Sequence, residues 1–189
     1  MELIDKYIEL ITQLLKTGGI IYGIILVLSE AIIPMLPLGV FITFNVNAFG
    51  LLIGVFISWL GTCLGCYLSF LFFRFLSLKF FNKYIKSKKL EKVIVKIKSI
   101  TFSNLVVLIA LPFTPSFLIN IACGVVDITK KKFLAAIMIG KVFSVMFWAC
   151  IGKSLIDSLT DIKTIIIVSL SIVVAYFISK IVSKKLEIE

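Results

Sequence analysis

Long apolar stretches alternate along this chain with short clusters of lysine, and the alternation predicts its elements. Residues 18–33 (GGIIYGIILVLSEAII) are apolar except for Glu30, residues 34–49 continue as PMLPLGVFITFNVNAF, and residues 50–78 form one long apolar run with Arg74 near its end. Residues 102–126, 133–152 and 162–182 are apolar again. Such runs predict membrane-crossing helices, each of about 20 residues. Two segments read differently. Among the first 16 residues Leu3, Ile4, Tyr7, Ile8, Ile11, Leu14 and Leu15 recur at helical spacing between three acids and two lysines. That predicts an amphipathic helix over 1–17 in the interface plane, unlike the basic start and unbroken apolar core of a secretory leader. Residues 79–98 interleave eight lysines and one glutamate with Phe80, Phe81, Tyr84, Ile85 and further apolar residues. That predicts a basic helix resting on an anionic membrane surface.

Composition strengthens this reading. Hydrophobic residues make up 60% of the 189 and the mean hydropathy is +1.15, against about 45–50% apolar in a water-soluble domain. A single integral membrane domain over 1–189 is expected. The net charge of +10 sits at the ends of apolar runs, the footprint of topology and anionic lipid rather than of nucleic acid. Lysine-rich loops stay in the cytoplasm, so 79–98, Lys130 to Lys132 and Lys180 to Lys185 are placed inside. The loop near residue 45 and the loop 153–161 are placed outside. The expectation is a multi-pass cell-membrane protein with a cytoplasmic C-terminus.

That sidedness constrains residues 102–126, which lie between two cytoplasmic loops. A single crossing would put Lys130 to Lys132 on the wrong side, so the segment is expected to enter and return as a re-entrant hairpin near 102–124. Its centre is P-F-T-P, Pro112 and Pro115, where proline breaks a helix. Broken backbone at membrane depth needs cover from protein or a water-filled cavity. Pro34 and Pro37 repeat the device in the first half (18–78), with a break near 34–45, and these four are all the prolines of the chain. Residues 18–44 fit a single kinked span equally well, since the crossing parity is the same. The expected fold is all-α: a polytopic bundle with two opposed re-entrant hairpins as an inverted repeat, full spans that include 162–182, and interfacial helices.

Few residues offer chemistry. Glu30 is the one acid inside an apolar segment, where a charge costs about 2.5–3.5 kcal/mol even on the gentlest scale. It reads either as a proton- or cation-linked carboxylate beside a substrate path, or as an anchor for a backbone N–H at the break. Arg74, the sole arginine beside nineteen lysines, either recognises phosphate or carboxylate with its planar fork or snorkels to the interface. Asn120 can donate into the hairpin or to a ligand. Gly50, Gly54, Ser58, Gly61, Gly65 and Ser69 form one small-residue face suited to close helix packing. Trp59 and Trp148 read as packing or interfacial residues, and Asp127 with Thr129 as a helix cap. Cys63, Cys66, Cys123 and Cys150 read as small hydrophobes. No histidine is present, so neither a metal, a cofactor nor a catalytic group is expected.

The run P-F-T-P-S-F-L-I-N-I-A-C-G from Pro112 to Gly124 resembles the second signature of the VTT-domain family, the DedA-like, SNARE-associated Golgi protein group. In the first half, Glu30-x-x-x-Pro34-x-x-Pro37, Gly61-x-x-x-Gly65 and Phe70-x-x-x-Arg74 agree with it in order and spacing over residues 25–155. Phe73 stands where the family typically has glycine. Many members carry an arginine three residues before the first proline of the second P-x-x-P; here that position is Ile109. Lys141, deep in the next apolar run, is the candidate to supply the missing charge. The resemblance implies two opposed re-entrant hairpins and lipid handling: phospholipid or polyprenyl phosphate moved across the bilayer.

The leading expectation is therefore a flippase- or scramblase-like lipid translocator, proton-coupled through Glu30, with Pro34, Pro37, Arg74, Pro112, Pro115, Asn120 and Lys141 completing the site. Its expected partners are a phosphate-bearing headgroup and, through 79–98, an anionic membrane surface. Self-association as a homo-oligomer stays open. The alternative is a small-ion or solute transporter using the same midplane site. An intramembrane enzyme finds no nucleophile–base pair. A scaffold recruiting partners through 79–98 is the remaining class.

Overall fold

In a computed structural model the described residues are 2–32, 38–84, 97–126, 128–157 and 162–185. They are all-helical, without a strand: α1 (Glu2–Ile32), α2 (Leu38–Phe49), α3 (Leu51–Tyr84), α4 (Phe102–Ala110), α5 (Ser116–Val125), α6 (Lys130–Asp157) and α7 (Ile162–Lys185). Pro34, Pro37, Asp127 and residues 85–96 of the lysine-rich stretch lie outside the described residues. Three stretches are long and apolar enough to cross a membrane: Glu9–Glu30, Leu51–Leu76 and Lys130–Gly152.

Local sequence explains the boundaries. α1 turns at Gly19, whose φ of 67° suits a residue without Cβ. The amphipathic stretch thus joins the apolar one through a kink. Asn47 of α2 donates to Thr12 Oγ1 at 3.2 Å and ties the first part of α1 down. Gly50, at φ 81°, turns the chain between α2 and α3. α3 runs on to Tyr84, so the lysine-rich stretch begins as the last turns of a long helix. Thr101 caps α4 by accepting from Asn104 N, and Thr129 Oγ1 accepts from Lys132 N at the start of α6.

The packing is partly reciprocal. α1 lies on α3 and α4 on α6; α5 packs across on α3, and α2 packs across on α6 as well as on α1 and α3 of its own half. α3 and α6 meet at the centre, where Phe70 and Phe133 stack with centroids 4.3 Å apart. Around them Leu105, Leu108, Ile119, Ala122 and Ile137 close the larger core. Ile42, Val46, Val145 and Ala149 form the smaller one between α2 and α6. Both close approaches use glycine. A Cβ on Gly61 would meet Ile24 O of α1 at 2.9 Å, and one on Gly140 would meet Val106 O of α4 at the same distance. The glycine–serine face of α3 is thus a packing face. Asn45, fully buried, donates to Gly23 O and Ser58 Oγ at 3.1 and 3.0 Å and bonds three helices together.

α2 and α5, of 12 and 10 residues, are about 18 and 15 Å long at 1.5 Å per residue. Neither alone crosses a hydrocarbon core of about 30 Å.

Gly54 faces the backbone of α2, where a Cβ would stand 2.5 Å from Val46 Cα. Gly54→Ala is expected to cost about 1–3 kcal/mol by overpacking, seen as a lower unfolding temperature in detergent, whereas Leu52→Ala at an exposed position leaves it near the parent value.

Candidate functional site

The second proline break is fully described. α4 ends as Leu111 N bonds Val107 O, Thr114 N reaches Leu111 O at 3.3 Å, and α5 restarts with Leu118 N on Pro115 O. No side chain caps α5 at Pro115, so the N–H groups of its first turn face outward from the helix end. That end opens into a cavity of about 530 Å³. Pro112, Thr114, Pro115 and Ser116 form one wall, Glu30 and the first turn of α2 (Leu38, Gly39) another, and Ser144 and Trp148 of α6 the floor. The N-terminus of α5 therefore opens on a mostly apolar chamber of a size that suits a small ligand.

The charges at it are few: Glu30, partly buried, lines it, and Lys141 lies behind its wall. Lys141 is 1% exposed and its Nζ donates to Ser116 Oγ at 2.7 Å. The same ammonium faces Glu30 electrostatically, together with Cys63 and Cys66 of α3. Glu30 Oε2 is buried and has no hydrogen-bond partner among the described residues, and neither does Thr114 Oγ1. Asn120, one turn beyond Ser116 on the same face of α5, lies beside Cys66; its Nδ2 is also without a partner among the described residues. Each such group costs about 1–3 kcal/mol relative to a satisfied one. Two of them, Glu30 and Thr114, border the cavity, and Asn120 lies close behind on α5.

Of the candidates read from sequence, Glu30, Pro112 and Pro115 line the cavity, Lys141 lies behind its wall bonded to Ser116, and Asn120 is buried one turn further along α5; Pro34 and Pro37 lie outside the described residues. Arg74 does not line the cavity. Its Nη1 donates to Ile128 O at 2.7 Å and its guanidinium lies 5.8 Å from the Phe70 ring centre, which holds the α5–α6 connection onto α3. Ile109 is buried and packs against Gly140, the neighbour of Lys141. An apolar side chain at 109 and a cation at 141 thus occupy adjoining places on α4 and α6. Thr114, Ser116, Ser144 and Trp148 escaped the sequence reading as site residues. Position would have flagged Ser116, the first residue of a helix restarted after a break, four before Asn120. Among the described residues no group of three or more cysteine or acidic side chains is placed to hold a metal ion.

These features define a helical membrane protein with an interior polar site at a broken helix. The VTT domain model matches residues 33–154, more than half the chain, and the protein belongs to the VTT-domain family. It is 31% identical over 188 residues to "Uncharacterized membrane protein YhjE" of Bacillus subtilis (strain 168), covering 98% of this chain and 90% of that one. It is 22% identical over 144 residues to "Uncharacterized protein YqeD" of the same organism, covering 74% and 69%. No solved structure matches the chain significantly. Family, relative and apolar helices agree on a membrane protein.

Cys63, Cys66 and Cys123 are buried and free, and Cys150 is exposed and free. A maleimide is expected to add once per folded chain in detergent, at Cys150, as read by intact mass; addition at Cys66 would contradict the packing of α5 on α3.

Proposed function

We propose that the chain translocates a lipid with a phosphate-bearing headgroup across the cell membrane. One observation carries the reading: at the restart of a broken helix a mostly apolar cavity is lined by Glu30, whose Oε2 is buried without a hydrogen-bond partner among the described residues, while the buried Lys141 is bonded to Ser116 of its wall. A phosphate there would meet Lys141, the hydroxyls of Ser116 and Thr114, and the N–H groups that open α5. Lys141 takes the place that an arginine near position 109 holds in many relatives of this fold. Glu30, on the facing wall, carries the coupling proton. When ionised it competes with the phosphate for Lys141, and when protonated it yields the cation to the headgroup.

In this reading the two short helices dip into the bilayer from opposite sides, and both border the cavity at mid-depth. The lysine clusters lie on the cytoplasmic side, and residues 79–98 hold the anionic leaflet. The reciprocal packing of α2 on α6 and α5 on α3 supports two related halves closing around one site. A small ion or solute using the same charges is the second reading; Asn120 and Glu30, both with an unmatched polar atom, suit it as well.

Vesicles with purified protein and headgroup-labelled lipids decide between them. Lys141→Met is expected to slow lipid movement by about tenfold or more, equivalent to about 1.4 kcal/mol, while Lys141→Arg keeps most of it. Glu30→Gln is expected to flatten its pH dependence. Flux of a labelled ion without lipid movement would select the second reading, and full lipid movement with an unchanged pH profile in Glu30→Gln would remove the coupling role.

A further inference from the structure

α7 lies outside the segment that matches the family, which ends at residue 154. Its one substantial helix partner is α6. Leu170, Val173, Val174, Phe177 and Ile178, spaced as one helical face, are all exposed, so α7 turns a broad apolar face away from the bundle. Two side chains on the opposite face touch the rest of the fold. Ile172 lines the cavity. Tyr176, one turn on and on the same face, meets Phe113 edge-on with centroids 5.8 Å apart. Phe113 belongs to the break itself, between Pro112 and Pro115, and also meets Trp148 at 5.5 Å. α7 thus walls the cavity on one side, and the wall touches the break through an aromatic edge contact, which can open and re-form without stranding a hydrogen bond.

A cavity of about 530 Å³ accommodates a ligand of headgroup size and not a whole lipid. The chains of any lipid bound there must lie outside it, in an apolar cleft continuous with the bilayer. We infer that the seam between α7 and the Pro112–Pro115 break, closed by the contact of Tyr176 with Phe113, is that lateral portal and opens into such a cleft. A hydrocarbon chain passes between Ile172 and Tyr176 on one side and Phe113 and Trp148 on the other, and α7 is the wall that moves to admit it. The inference rests on the lipid reading of the cavity and adds to it the chain subsite and the moving element.

The test begins with the unsubstituted protein in vesicles. Two probes are used in separate arms, a phospholipid and a polyprenyl phosphate, each with a photoactivatable group in its hydrocarbon chain, and peptide mass spectrometry locates the adducts. Adducts at Ile172, Tyr176 or Trp148 are expected in at least one arm, and the arm that gives them tells an acyl from an isoprenoid chain. Adducts confined to outward residues such as Leu170 and Phe177 in both arms would overturn the portal. Next, Phe113→Cys and Tyr176→Cys are introduced in a Cys150→Ser background and bridged by a short bis-methanethiosulfonate cross-linker, whose disulfide bonds to the two cysteines a thiol reductant cleaves. Bridging is expected to remove the adducts at Ile172 and Trp148, keep those at Leu170, and lower lipid movement about tenfold, with recovery on reduction. Unchanged cleft adducts or unchanged movement after bridging would overturn the moving wall. Bridge-sensitive cleft adducts in a protein that moves no lipid in any state would leave the portal standing as a binding site and remove the translocator reading.

Discussion

A helix interrupted in an apolar setting exposes backbone N–H and C=O groups that hydrocarbon cannot satisfy, and they must be covered by protein. The architecture answers that constraint. α5 restarts after Pro115 against α3, and α2 lies against α6, so each short helix is sheltered by the long helix of the other half. Glycines at the contacts let the backbones approach until Cβ atoms would collide. α3 and α6 accordingly carry small residues where they receive a neighbour and large aromatics, Phe70 and Phe133, where they meet each other.

The same constraint concentrates polarity. Once a helix end is buried, its free N–H groups favour an acceptor, and a buried cation nearby deepens that preference. Lys141, held by Ser116 Oγ at the start of α5, sits where both effects add. Glu30 faces it from α1 across the cavity, close enough to feel its charge without a direct salt bridge between them among the described contacts. A bound ligand, a proton or a closer approach of the two walls would each complete the pairing. Two charges left unjoined keep that choice between partners, which a sealed pair, carrying only its desolvation cost, would lack.

Arg74 and Lys132 show that a cation in this fold is not necessarily part of the site. Arg74 ties down the Ile128 carbonyl and Lys132 the Ile100 carbonyl at 2.9 Å, both at connections between helices. Arginine and lysine look alike as isolated charges in an apolar run. Which of them secures a connection and which faces a cavity depends on the neighbours that packing brings, and Arg74, Lys132 and Lys141 divide on that ground alone.

Much of this was legible in the chain. Apolar run lengths fixed the long helices, and the prolines fixed the break between α4 and α5. The isolation of Glu30 and Lys141 in apolar sequence marked both as residues with a reason to be there. Those features are local, because helix continuity and the cost of a charge depend on a few neighbouring residues. The lysine-rich stretch was read less well at its start, since α3 continues to Tyr84 and a helix end depends on its packing as much as on its composition. Tertiary structure alone decided that Glu30, Ser116 and Trp148 border one chamber with Lys141 bonded into its wall. It also turned Arg74 away from that chamber and set Tyr176 of the last helix against Phe113 in the break. These residues lie far apart in sequence, and no local rule of periodicity or propensity relates the face of one helix to the face of another.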